Sequence, residues 1–95
     1  MNFLTDLGFN SEDIKQVELE TPELLLDEFK QAGELVSDNI QFLKDLGVTN
    51  YKDVVINYAY MFLMDSSNFQ GIFLKYEKED LVAKIAKNVR VVEHL

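Results

Sequence analysis

The sequence predicts an all-α fold of five to six short helices, stacked as two to three helical-repeat units within one domain spanning residues 1–95. Three observations predict it. Helix breakers are scarce, with one proline and four glycines in 95 residues, against abundant Leu, Glu and Lys. Apolar residues recur at intervals of three and four along most of the chain. A hexapeptide is also written twice, FLTDLG at residues 3–8 and FLKDLG at residues 42–47, differing only where Thr5 faces Lys44.

The first helix is predicted over about residues 11–19. Asn10 or Ser11 offers a short polar cap, Glu12 and Asp13 suit the positive end of the helix, and Ile14 and Val17 turn inward with Leu7 alongside. In ETPELLLDEFKQAG the expected cap is Thr21, with Pro22 at the first helical position, where its missing amide costs nothing. Leu24, Leu25, Leu26 and Phe29 supply the apolar stripe of that helix, and Gly33 is a stop or a kink. Residues 34–46 follow, with Leu35, Val36, Ile40, Leu43 and Leu46 on one side and Gly47 placed for a left-handed stop. Thr49 or Asn50 then restarts a helix through YKDVVINYAYMFLM, which is apolar on most sides and is therefore either central and buried or the cover of a partner-binding groove. DSSN at 65–68 breaks it and caps a helix through FQGIFLKYE. The last helix, about 79–90, places Leu81, Val82, Ile85, Val89 and Val92 on one face. Val91 falls on the polar side, so that helix ends before it, and VRVV is open to an extended form.

The duplication extends past the hexapeptides. FLTDLGFNSEDI aligns with FLKDLGVTNYKDV with one inserted residue, PELLLD at 22–27 aligns with YMFLMD at 60–65, and FLKYEKEDLVAKI restarts the pattern at Phe73 without its glycine turn. The starts at Phe3, Phe42 and Phe73 divide the chain into units of about 3–41, 42–72 and 73–95, in the range of helical solenoid repeats. One helix pair cannot bury its apolar face alone, so such units stack.

Composition bounds the function. With 47% hydrophobic residues, including seven Phe and four Tyr, the chain has material for a core. It has no cysteine, so disulfide and thiol chemistry are excluded and a reducing cytoplasmic setting is expected. The opening MNFLTDLGFNSED has no basic stretch leading an apolar run and reads as mature protein, and YAYMFLM is far short of the roughly 20 residues of a membrane span. The net charge of −8 is unevenly spread: residues 1–74 carry 13 acids against Lys15, Lys30, Lys44 and Lys52, whereas residues 75–95 carry four acids against five bases. The larger part repels a phosphate backbone.

No catalytic, cofactor or metal constellation is legible. His94 is the single histidine, without a second histidine or a cysteine to form a triad or a zinc cluster. DSSNFQG lacks the ligand spacing of a calcium loop. The acid pairs Glu12/Asp13, Asp27/Glu28 and Glu79/Asp80 point about 100° apart on their helices and cannot converge on one substrate. Two binding surfaces remain. Lys75, Lys78, Lys84, Lys87 and Arg90 offer contact with nucleic acid or an acidic partner, or else a solvated face in which Asp80 pairs with Lys84. Tyr58, Tyr60 and Phe62 offer an apolar partner face, or else core.

The segments Phe3 to Gly8, Glu12 to Ile14 and Pro22 to Leu26, with Phe42 to Gly47, Asp53 and Val54 in the second unit, resemble the repeat of the mitochondrial transcription termination factor family. The resemblance covers residues 3–65 best. Tyr60 stands where the second unit would have its proline, and the third unit lacks both the glycine turn and the proline. It implies an all-helical, curved repeat fold that binds nucleic acid in a basic concave groove. The acidic composition favours instead a non-enzymatic module that binds a protein or a second copy of itself, with nucleic acid as the alternative partner.

Overall fold

A computed structural model describes residues 1–95. The chain forms seven α-helices and two 3₁₀ helices with no strand, as the breaker-poor composition predicts: α1 (Asn2–Asp6), α2 (Ser11–Glu20), α3 (Glu23–Gln31), α4 (Gly33–Leu46), α5 (Tyr51–Asn57), a first 3₁₀ helix (Ala59–Leu63), α6 (Ser66–Leu74), α7 (Lys78–Lys87) and a second 3₁₀ helix (Val89–His94). No helix is long and apolar enough to cross a membrane.

Both copies of the hexapeptide end in the same turn. Gly8 and Gly47 adopt φ of 99° and 102°, the left-handed conformation that an L side chain resists. In the first, the amide of Gly8 donates to Thr5 and that of Phe9 to Leu4; in the second, the amide of Gly47 donates to Lys44 and that of Val48 to Leu43. This doubly bonded stop consumes the carbonyls that a helix end leaves free. Leu4, Leu7 and Phe9 are buried in one turn, and Leu43, Leu46 and Val48 in the other. The stretch at Phe73 differs: Phe73 itself is buried, Leu74 is 62% exposed, and no residue there has positive φ.

Side-chain caps set three of the seven α-helix starts. The Asn10 side chain accepts from the Asp13 amide at 2.8 Å while the Asp13 carboxylate accepts from the Asn10 amide at 3.0 Å, two free amides satisfied reciprocally. Asp65 caps α6 through the Asn68 amide, and Glu77 caps α7 through the amides of Glu79 and Asp80. At the start of α3 the cap lies one residue later than the sequence suggests. Pro22 is the cap residue, and Thr21 is the buried end of α2, its amide donating to Val17.

The 50–64 stretch is not one helix. At Tyr58 the backbone leaves the helical region (φ −134°, ψ 42°), and Ala59–Leu63 tighten into 3₁₀ geometry. Asn39, fully buried on α4, donates its side-chain amide to the carbonyls of Phe62 at 3.1 Å and Met64 at 2.9 Å. A buried carbonyl needs a donor, and Asn39 supplies one where the helix no longer does. The final helix likewise stops at Lys87; Asn88 is extended, its side chain accepts from the Arg90 amide, and VRVV is a 3₁₀ helix rather than a strand.

A single cluster of 21 buried apolar residues forms the core. At its centre Phe69 packs against Phe62, Phe73 and Phe42 with ring centroids 5.0, 5.1 and 6.2 Å apart, joining α4, α6 and the first 3₁₀ helix. Each such ring is worth about 1.5–3 kcal/mol through burial alone.

Candidate functional site

Helices α2 and α5 lie side by side and run in the same direction. Near their starts, Lys52 on α5 pairs with Asp13 on α2 at 3.1 Å. The Asn10 amide holds the Asp13 carboxyl below its ordinary range; Lys52 adds to that, and burial opposes it. At the other end, Glu20, Thr21 and Asn57 line one hollow of about 60 Å³, with Pro22, Leu25 and Tyr60 completing its walls. Two helix C-termini, each the negative pole of its helix, therefore meet at one surface feature.

Large apolar side chains are exposed on the elements that form this corner. Leu24 is 81% exposed, Leu19 68% and Tyr60 55%. Leu19 is on the last turn of α2 and Leu24 on the first turn of α3, the two helices whose junction lines the hollow. Leu24 does not belong to the inward stripe. On a helix anchored by buried Phe29, positions three and four residues earlier, Leu26 and Leu25, share its side and are half-buried, whereas Leu24 lies five residues back and faces out. The surrounding segment is acidic: residues 16–29 contain Glu18, Glu20, Glu23, Asp27 and Glu28 and no base. Thr21 is only 5% exposed, and its hydroxyl oxygen has no hydrogen-bond partner within the chain.

Tyr58, Tyr60 and Phe62 do not form a common exposed face. Phe62 is fully buried and Tyr58 is 8% exposed, leaving Tyr60 alone at the surface. Residues two positions apart lie on different sides of either kind of helix, about 160° apart in an α-helix and about 120° in a 3₁₀ helix, so Tyr60 faces away from its neighbours. The Tyr58 hydroxyl donates to the Glu93 carboxylate at 2.5 Å. That bond, with burial and the charge on Glu93 adding to it, raises the tyrosine to about 12. Glu93 is lowered, first by the same bond and then by Arg90, against the effect of burial.

Lys75, Lys78, Lys84, Lys87 and Arg90 are all exposed. Three are engaged: Lys84 with Asp80 at 2.9 Å, Arg90 with Glu93 at 3.6 Å, and Lys75 with the backbone oxygen of Leu95 at 3.0 Å. On α7, Lys84 and Lys87 lie about 60° apart, while Lys78 is about 180° from Lys87, so the five are not one stripe. Tyr76, Asp80, Leu81, Lys84, Val91, His94 and Leu95 line a second, larger hollow of about 180 Å³ between α7 and the second 3₁₀ helix. No group of three or more His, Cys, Asp or Glu side chains is placed to hold a metal ion.

Comparison of the chain with protein-family models, curated proteins and solved structures found no match. The corner where α2 gives way to α3 was not legible as a site in the sequence. Its one local signal is the spacing of Leu24 from Phe29.

Proposed function

We propose that the chain is a non-enzymatic module that binds another protein through the corner between α2 and α3. The observation that carries this reading is Tyr60, more than half exposed at the wall of the hollow that Glu20 also lines, with two further exposed apolar side chains, Leu19 and Leu24, on the helices that meet there. Grouped exposed apolar surface of this kind marks interfaces. The acidic rim supports a partner with basic side chains at its contact. The cysteine-free sequence supports a reducing, cytoplasmic setting.

The matching turns at Gly8 and Gly47 and the parallel packing of α2 on α5 support a reading of residues 3–41 and 42–72 as stacked repeat units, similar to those of the mitochondrial transcription termination factor family. That resemblance favours nucleic acid as the alternative partner, and Lys84 beside Tyr76 and His94 at the larger hollow is the place such contact would use. Against it stand the net charge of −8 and the ion pairs that already occupy Lys84 and Arg90.

An amide NMR titration separates the two. Protein binding predicts that a short Lys- and Leu-containing peptide shifts amides of residues 18–28 and 57–60, and that Leu24→Ser abolishes the shifts. If DNA or RNA at low salt instead shifts residues 75–90, and the peptide shifts nothing, the nucleic-acid reading replaces it.

A further inference from the structure

The charge asymmetry of the chain is sharper than its halves suggest. Residues 16–29 hold five acids and no base, and residues 81–92 hold Lys84, Lys87 and Arg90 and no acid. Among those three bases Lys84 and Arg90 have intramolecular carboxylate partners, and Lys87 has none. Lys78, also without an ion pair, is hemmed by Glu77, Glu79 and Asp80 and presents no net positive surface. Lys15 and Lys30, likewise without ion pairs, sit three or four positions from Glu12 and Glu18 and from Asp27 and Glu34, so Lys87 is the ammonium group best placed to meet an acidic surface.

The hollow at the α2–α3 corner suits that group. Its volume of about 60 Å³ is enough for a few waters or one ammonium head. Glu20 supplies a carboxylate to the lining, the C-termini of α2 and α5 add negative potential that the start of α3 at Pro22 partly offsets, and the Thr21 hydroxyl has no partner within the chain. The exposed Tyr60 ring at the wall is of the type that attracts a cation over its face. Beside Lys87, the half-buried Val89 and Val91 offer apolar surface to Leu19 and Leu24.

From this complementarity we infer that the chain self-associates head to tail, the Lys87 end of α7 in one copy seating on the Glu20 hollow of a second copy. This inference rests on the proposed protein-binding corner and names its occupant. The two surfaces differ, so the contact is heterologous, and repetition gives rings or open chains rather than a closed symmetric dimer.

Complementary charge reversals test it by sedimentation. Glu20 and Lys87 are both exposed, so reversing either leaves the core untouched, which far-ultraviolet circular dichroism checks. The average mass of the unaltered protein should rise with concentration into the millimolar range at about 0.1 M salt, where the mutual repulsion of copies of net charge −8 is largely screened. Glu20→Lys alone and Lys87→Glu alone should each associate roughly tenfold more weakly, as expected for loss of one close charge pair. Mixed in equal amounts they should recover association, because one variant keeps its ammonium and the other its hollow. A protein that stays monomeric throughout, single variants that associate like the unaltered chain, or a mixture that remains monomeric each overturn the inference. The peptide titration keeps the underlying reading separate: a monomeric protein whose corner still binds the peptide loses only self-association, and one that binds neither loses both.

Discussion

The Tyr51 hydroxyl donates to the Leu7 carbonyl at 2.8 Å, tying the helix that follows the second glycine turn to the first glycine turn. The Lys44 ammonium donates to the same oxygen at 3.1 Å, so the one position at which the hexapeptides differ is where the second copy reaches back to the first. A Cβ on Gly8 would lie 2.8 Å from the Tyr51 oxygen, whereas one on Gly47 would have only Val82 near it, at 4.0 Å.

The two glycines should therefore respond differently. Gly47→Ala should cost roughly 1–2 kcal/mol, the penalty of a left-handed L residue, and Gly8→Ala measurably more in chemical denaturation. In a Tyr51→Phe background the excess should vanish, because the clashing oxygen is gone and Lys44 still serves Leu7. If Gly8→Ala keeps its excess there, the contact with Tyr51 is not its cause.

Asn39 fixes the break in the 50–64 stretch. Asn39→Leu should destabilise the protein by about 2–4 kcal/mol, since it strips the donor from two carbonyls and leaves buried polar groups unmatched. The amides of residues 59–64 should gain hydrogen-exchange rate before the rest of the core does. Uniform loss across the molecule would assign Asn39 a general packing role only.

The bond between Tyr58 and Glu93 makes the second 3₁₀ helix sensitive to pH. Glu93 titrates below its ordinary value of 4.5, so its contribution is complete above that pH and is lost as pH falls through the lowered folded value. Tyr58 is raised from 10.0 to about 12, so the same bond is intact below pH 10 and is lost as pH rises from there toward 12. Urea denaturation between pH 7 and pH 3 should show a shallower decline for Tyr58→Phe than for the unaltered chain. Equal slopes would mean that the bond contributes nothing in solution.

On α3, adjacent parts of one helix should behave oppositely. Leu24→Ala removes an exposed side chain and should change stability by less than about 0.5 kcal/mol. Phe29→Ala, at a fully buried site, should cost about 3–5 kcal/mol. A large loss at Leu24 would place that side chain in the core.

Much of the fold was legible because its signals are short-range. A cap needs only a polar side chain within three residues of a free amide, and a left-handed stop needs only a glycine, so a cap at Asn10 or Ser11, another within DSSN and the stop at Gly47 could be read directly. Thr21 was misplaced because Thr-Pro-Glu is as good a helix start as it is an end; the packing of α2 on α5 decided that Thr21 would be buried. The site was less legible. YAYMFLM is apolar on every side, so periodicity could not say that Tyr58 and Phe62 turn inward while Tyr60 turns out. For Leu24 one local signal existed, its five-residue spacing from Phe29, which sets it apart from Leu25 and Leu26.

The sequence by itself determined the all-helical class, most helix starts, the two glycine turns and the separation of acids from bases along the chain, because each depends on residues within a few positions of one another. Only the tertiary structure decided where the apolar run breaks, which of its rings are buried, and that the ends of α2 and α5 meet at one hollow. Those depend on Asn39, Lys52 and Glu93 reaching partners 23 to 39 positions away, and nothing in local spacing records which distant group will be there to receive them.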